Sequence, residues 1–174
     1  MKRLSKAAIA VLWLPALLVA QATESPLARL RVEGEKVGWD GVEIGMSVVQ
    51  AERRVGTSLA LSRSSSTRCP GYSVDVEHQA VRLSLGFPSN KPSAKIESIY
   101  VRFGGYQTLA KRAELAAELK RIAPGATYFA PSQFPELKED EAANPTYSLP
   151  GEPGYTVRIE PGAGLLLTRK ECLG

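Results

Sequence analysis

The chain predicts an α+β fold, an antiparallel sheet with helices packed on one face, and three observations carry that reading. Apolar and polar residues alternate through Tyr72 to Glu77, Val81 to Phe87 and Ser98 to Phe103, the pattern of antiparallel strands with one buried and one wet face. Two other stretches, Val48 to Val55 and Leu109 to Ile122, space their apolar residues at helical intervals. Finally, each helix precedes three strands, which suggests a tandem helix-plus-three-strand repeat with halves 41–105 and 106–174.

The elements follow in order. Leu30 and Val32 alternate with Arg31 and Glu33, and Val37, Val42 and Ile44 frame Gly38 and Asp40-Gly41, reading as an edge strand or extended arm with a turn. Ser47 opens the first helix, because Gln50 three residues later completes a capping box and Gly56 suits a left-handed C-terminal position. Val48, Ala51 and Val55 would face inward, with Glu52, Arg53 and Arg54 in water. Ser62 to Arg68 is a polar loop leading to Cys69-Pro70-Gly71 and the strand meander.

Gly104-Gly105 ends that meander, and Thr108 caps the second helix, whose stripe would be Leu109, Ala113, Ala116, Leu119 and Ile122. Pro124-Gly125 stops it. The charge run Lys138-Glu139-Asp140-Glu141 reads as a solvated loop ending near Asn144-Pro145. Strands resume at Thr146 to Leu149, Tyr155 to Ile159 and Leu165 to Arg169, parted by Pro153-Gly154 and Pro161-Gly162.

Before all of this, Lys2, Arg3 and Lys6 precede the 14-residue apolar run Ala7 to Ala20, which closes on Ala20-Gln21-Ala22. That is the layout of a secretory signal peptide over residues 1–22, leaving one α+β domain over 23–174 that is exported and periplasmic or secreted. The run is shorter than the roughly 20 residues that span a bilayer, so no integral membrane span is expected in the mature form, a retained anchor being the alternative. Removing the signal leaves 19 basic against 18 acidic residues. A chain so balanced, without basic runs interleaved with aromatics, is not expected to bind nucleic acid. Cys69 and Cys172 are the two cysteines. In an oxidising compartment such a pair reads as a disulfide, the alternative being two separately buried thiols.

Catalytic signals are sparse. His78 is the single histidine, read as a surface residue at a turn between strands. No Gly-x-Ser-x-Gly elbow occurs, and one histidine with two separated cysteines lacks zinc-site spacing. No metal, no cofactor and no catalytic residue are therefore expected. The wet sheet face is the candidate binding site, with Asp75, Glu77, Arg82, Tyr100, Arg102 and Arg158 as its candidate residues, since Tyr and Arg join large contact area to directional hydrogen bonds.

The stretch Gly41-Val42-Glu43-Ile44-Gly45-Met46-Ser47-Val48-Val49-Gln50-Ala51-Glu52-Arg53-Arg54-Val55-Gly56 resembles the opening of exported modules related to the β-lactamase inhibitor protein. It is also similar to the small lipoprotein of the outer-membrane β-barrel assembly machine, although no lipid-attachment cysteine lies near the cleavage point. The resemblance implies a non-catalytic domain that binds another protein through its open sheet face or loops. The expectation is an envelope protein-binding domain of inhibitor, immunity or assembly-accessory type, with an envelope protein as partner. The alternatives are an envelope hydrolase acting on glycan or peptide through Asp75, Glu77 or His78, and a small-molecule or lipid binder with a pocket between helices and sheet.

Overall fold

The computed structural model describes residues 25–65, 69, 71–102, 109–151, 154–160 and 164–172, with the backbone alone for Pro26 and residues 109–112. The signal segment, the Gly104-Gly105 turn, Thr108, Phe103, Pro153 and the Pro161-Gly162 turn lie outside the described residues.

Among the described residues the strands form two antiparallel sheets, one of three strands and one of eight. The small sheet is β1 (Leu30–Glu33), β2 (Lys36–Trp39) and β3 (Val42–Glu43), after which comes α1 (Val48–Val55). The large sheet takes β4 (Ser62–Arg63), β5 (Tyr72–His78), β6 (Val81–Phe87) and β7 (Ser98–Arg102) from before α2 (Leu109–Ile122). After α2 it takes β8 (Thr127–Phe129), β9 (Thr146–Ser148), β10 (Tyr155–Glu160) and β11 (Gly164–Arg169). Its order is β4-β5-β6-β7-β11-β10-β9-β8, two meanders meeting at the β7–β11 pair.

Two expectations change here. The segment read as an edge strand or arm closes on itself as the separate small sheet. Each meander carries four strands among the described residues, not three, because β4 and β8 add two- and three-residue edges too short to show an alternation. The junction between meanders is tight. A Cβ on Gly164 would sit 1.7 Å from the Val101 carbonyl oxygen, so only glycine fits where β11 starts beside β7.

Local chemistry explains the rest. The Ser47 hydroxyl accepts from the Gln50 N–H while the Gln50 side chain accepts from the Ser47 N–H, and Gly56 ends α1 at φ 77°, the capping box and left-handed stop the sequence predicts. Both central residues of the β2–β3 turn, Asp40 and Gly41, have positive φ, which is what a two-residue hairpin turn needs and what Asp-Gly supplies. The β5–β6 turn does the same with Gln79 and Ala80, at φ 50° and 63°. Neither residue signals such a turn, since a Cβ disfavours that region.

The register sorts side chains by face. Leu83, Val101, Leu165 and Ile159 form one apolar row across four strands, and Leu85, Ile99, Leu167, Val157 and Tyr147 form the next. All nine are fully buried. α1 contacts β3 and β5 and buries Val48 and Ala51, while α2 contacts β1 and β10. Among the described side chains of α2, Leu115, Ala116 and Leu119 are buried, as is Ala123 just beyond its end; Ala113 is exposed and Ile122 half-buried. The stripe is therefore rotated from the expected one. Leucine buries far more apolar area than alanine, so Leu115 rather than Ala113 turns inward.

A candidate binding face on the large sheet

The opposite face of the large sheet is built from the residues between the apolar ones. One row runs Asp75, Ser84, Tyr100, Leu166, Arg158 and Thr146, each directly opposite the next on the neighbouring strand. The row beside it runs Glu77, Arg82, Arg102, Gly164 and Glu160. All six candidate residues, Asp75, Glu77, Arg82, Tyr100, Arg102 and Arg158, thus share one face. The row on the other side is almost wholly hydroxylic: Ser62, Ser73, Gly86, Ser98, Thr168, Thr156, Ser148 and Thr127, spanning the sheet from edge to edge.

Asp75, Arg82 and Arg102 on this face pair with one another, as do Arg158 and Glu160. Arg82 Nη2 donates to Asp75 Oδ2 at 2.8 Å and Arg102 Nη2 lies 3.9 Å from Asp75 Oδ1, to which the Ser84 hydroxyl also donates. That hydroxyl, then the two guanidinium groups, hold the Asp75 carboxyl below the ordinary carboxylate range. On the far side of Tyr100, Arg158 binds Glu160 through Nε at 2.9 Å and Nη2 at 2.7 Å. Tyr100 sits between the two clusters, its hydroxyl bonded to Glu160 and the Arg102 guanidinium 5.4 Å from its ring centroid. Burial, then the bond to Glu160, pushes its phenol up to about 12.

A pocket of about 310 Å³ opens on this face beside Tyr100, walled by Ser84, Ser98, Leu166, Arg158 and the Cys69 and Cys172 side chains. Those cysteines are joined in a disulfide, with Cα atoms 5.4 Å apart and a sequence separation of 103. The bridge ties the β4–β5 loop to the turn after β11 and so crosses from one meander to the other. Among the described residues, the group able to offer a metal several close ligand atoms is Cys69, Glu97 and Cys172.

His78 differs from expectation. It is the last residue of β5, 8% exposed, and its Nε2 lies 3.1 Å from Asp40 Oδ2 in the β2–β3 turn. Its even position in the strand sends it to the face opposite Asp75 and Glu77, so it cannot work with them. Arg54 Nη2 donates to the Asp40 carbonyl at 2.9 Å, which makes Asp40 a junction of the small sheet, α1 and β5. A two-residue turn followed by a histidine reads as surface in sequence; the covering turn comes from 38 residues away.

Three features of the face escape sequence reasoning. Leu166 lies inside the run Leu165-Leu166-Leu167, which shows no alternation. Glu160 becomes a partner of Tyr100 only through the β7–β11–β10 pairing. The hydroxyl row exists only once eight strands are in register, though Ser73, Ser98 and Thr156 each occupy a wet alternation position in the sequence.

A second concavity, about 600 Å³, lies between α2, the 139–145 loop and β9. Its walls are Ala113, Ala116, Ala117, Ala142 and Pro145, and Tyr147 lies among them. Lys120 pairs with Glu139 at 2.6 Å, and the Tyr147 hydroxyl donates to Glu139 at 2.9 Å.

Among the described residues no helix is long and apolar enough to cross a membrane. Comparison with protein-family models, with curated proteins and with solved structures finds no match to this chain.

Proposed function

We propose that this protein is an exported, non-catalytic domain that binds another protein of the cell envelope through the open face of the large sheet. One observation carries the reading: Tyr100 and Leu166 lie side by side between two charge clusters already satisfied internally, so the face is ordered before any partner arrives. Pre-paired charges lose less on desolvation than free ones, and a rigid aromatic flanked by arginines makes an efficient hot spot. The disulfide supports export, because such bonds persist in oxidising compartments. The 41–56 segment supports a role of inhibitor, immunity or assembly-accessory type, by its resemblance to modules of that kind. The half-by-half sheet order, with one helix preceding each meander, supports a tandem repeat about the β7–β11 seam with both helices on the covered face.

Capture from an envelope fraction by wild-type protein and by a Tyr100→Ala/Arg102→Ala variant tests the reading. A partner held by the wild type and released by the variant is expected. A partner held equally by both would remove this face from the proposal.

A second reading, a small-molecule or lipid binder, draws on the cleft beside α2. Its volume falls in the range of ligand sites, roughly 300–1,000 Å³, and its alanine walls with Lys120 and Glu139 at the rim suit an amphiphile. Dodecanoate titrated into wild-type and Ala117→Phe protein would discriminate: saturable binding lost on filling the cleft is the expected result, and no binding by the wild type excludes it.

A further inference from the structure

The Cys69 and Cys172 sulfur atoms and a Glu97 carboxylate oxygen all lie within 4.8 Å of one another. They arrive from three separate places, the β4–β5 loop, the residue before β7 and the turn after β11. Glu97 does not depend on the bridge for its position. Its backbone N–H donates to the Gly86 carbonyl at 2.8 Å, and its carbonyl accepts from the Thr168 hydroxyl at 3.4 Å.

We infer that, once the bridge is reduced, Cys69, Cys172 and Glu97 form a three-ligand site for a zinc-class divalent cation, with the fourth position open toward the pocket on the sheet face. Zinc holds thiolate sulfur at about 2.3 Å and carboxylate oxygen at about 2.0–2.2 Å, which sets tetrahedral ligand atoms about 3.4–3.8 Å apart. Three atoms within 4.8 Å need only small shifts to reach that spacing. Two thiolates select a soft or borderline cation over calcium and magnesium. Both cysteines line the pocket, so an exogenous fourth ligand has a way in. Sequence spacing conceals the site, because Glu97 stands 28 residues after Cys69 and 75 before Cys172. It therefore runs against the sequence-based expectation of no metal.

The chemistry balances. A dithiol reductant delivers two electrons and two protons to the cystine and leaves as its own disulfide, giving two thiols. Binding of the divalent cation then displaces both thiol protons to solvent. The cation and the disulfide are thus alternative occupants of the same two sulfur atoms, and the site is independent of any protein partner.

The experiment uses the mature chain, reduced with a dithiol, desalted under argon and titrated with Co²⁺ and then Zn²⁺. One Co²⁺ per chain with intense thiolate-to-cobalt absorption is expected, displaced by Zn²⁺, together with a rise in the melting temperature of the reduced protein. Disulfide-bonded protein should show neither. Glu97→Gln, which keeps the bridge and can be checked for folding before reduction, should weaken Zn²⁺ binding at least ~10-fold. Cys69→Ser should abolish the absorption. Reduced wild-type protein that gives no charge-transfer band, whether folded or not, overturns the site. Glu97→Gln binding as tightly as wild type does the same.

Discussion

The two faces of the large sheet come from the same strands and the same period of two, yet they obey different rules. On the covered face each position has one requirement, to be apolar and to fill space, and Leu83, Val101, Leu165 and Ile159 satisfy it independently. On the open face the residues depend on one another. Asp75 needs Arg82, Ser84 and Arg102; Tyr100 needs Glu160; the hydroxyl row needs every strand in register. Burial energy is non-directional, so it specifies a class of residue, whereas a hydrogen-bonded ion pair specifies a partner and a geometry.

The comparison can be broken most forcefully where the two meanders are locked together on the open face. The Cys69–Cys172 bridge closes a loop of about 100 residues, worth roughly 4–5 kcal/mol in the chain-entropy model. Metal-free urea unfolding with and without reductant should show a loss of that order; an unchanged midpoint would mean that the covered face alone holds the two meanders together.

Next in size is a pair of neighbours on opposite faces. Leu83→Ala should destabilise the fold by about 2–5 kcal/mol through lost burial and the cavity left behind. Arg82→Ala, one residue away, should cost under ~1 kcal/mol, since its ion pair is half exposed and screened. Equal losses in chemical denaturation would show that the open face contributes to stability as much as the covered one.

A smaller effect comes from the β5–β6 turn. Ala80→Gly removes a Cβ from a left-handed position and should stabilise by about 0.5–1 kcal/mol, partly offset by glycine's greater freedom when unfolded. A lowered melting temperature would argue against strain there. Smallest is the response to pH. The folded-state pKa of Asp75 lies below its unfolded value, so its contribution is present above about pH 4 and fades as pH falls through the folded value. Tyr100 works in the opposite sense: raised to about 12, it stabilises below about pH 10 and loses that effect as pH rises through 12. Asp75→Asn should flatten the acid limb of a stability profile, and Tyr100→Phe the alkaline one.

Much of this architecture is legible in the residues alone. The capping box at Ser47 and Gln50, the bounds of both helices, the Asp40-Gly41 turn and the sorting of β5, β6 and β7 into two faces follow from local spacing, as does the membership of Asp75, Glu77, Arg82, Tyr100 and Arg102 in one surface. The failures share a cause. Ala113 and Leu115 both fit a helical stripe, and the depth of the available core decided between them. Gln79-Ala80 makes a hairpin turn against its propensity because the paired strands on either side leave no other route. His78 is buried by a turn far away in sequence.

What the sequence by itself determined, then, is everything that depends on neighbours within a turn or a strand: period, caps, wet and dry faces, and the presence of two cysteines. Only the tertiary structure decided which strands meet. The β7–β11 seam joins the halves, sets Glu160 on Tyr100, extends the hydroxyl row across the sheet, and brings Cys172 to Cys69 and Glu97. Those contacts are long-range, and their partners are chosen by global packing and backbone pairing, which leave no periodic mark on the chain.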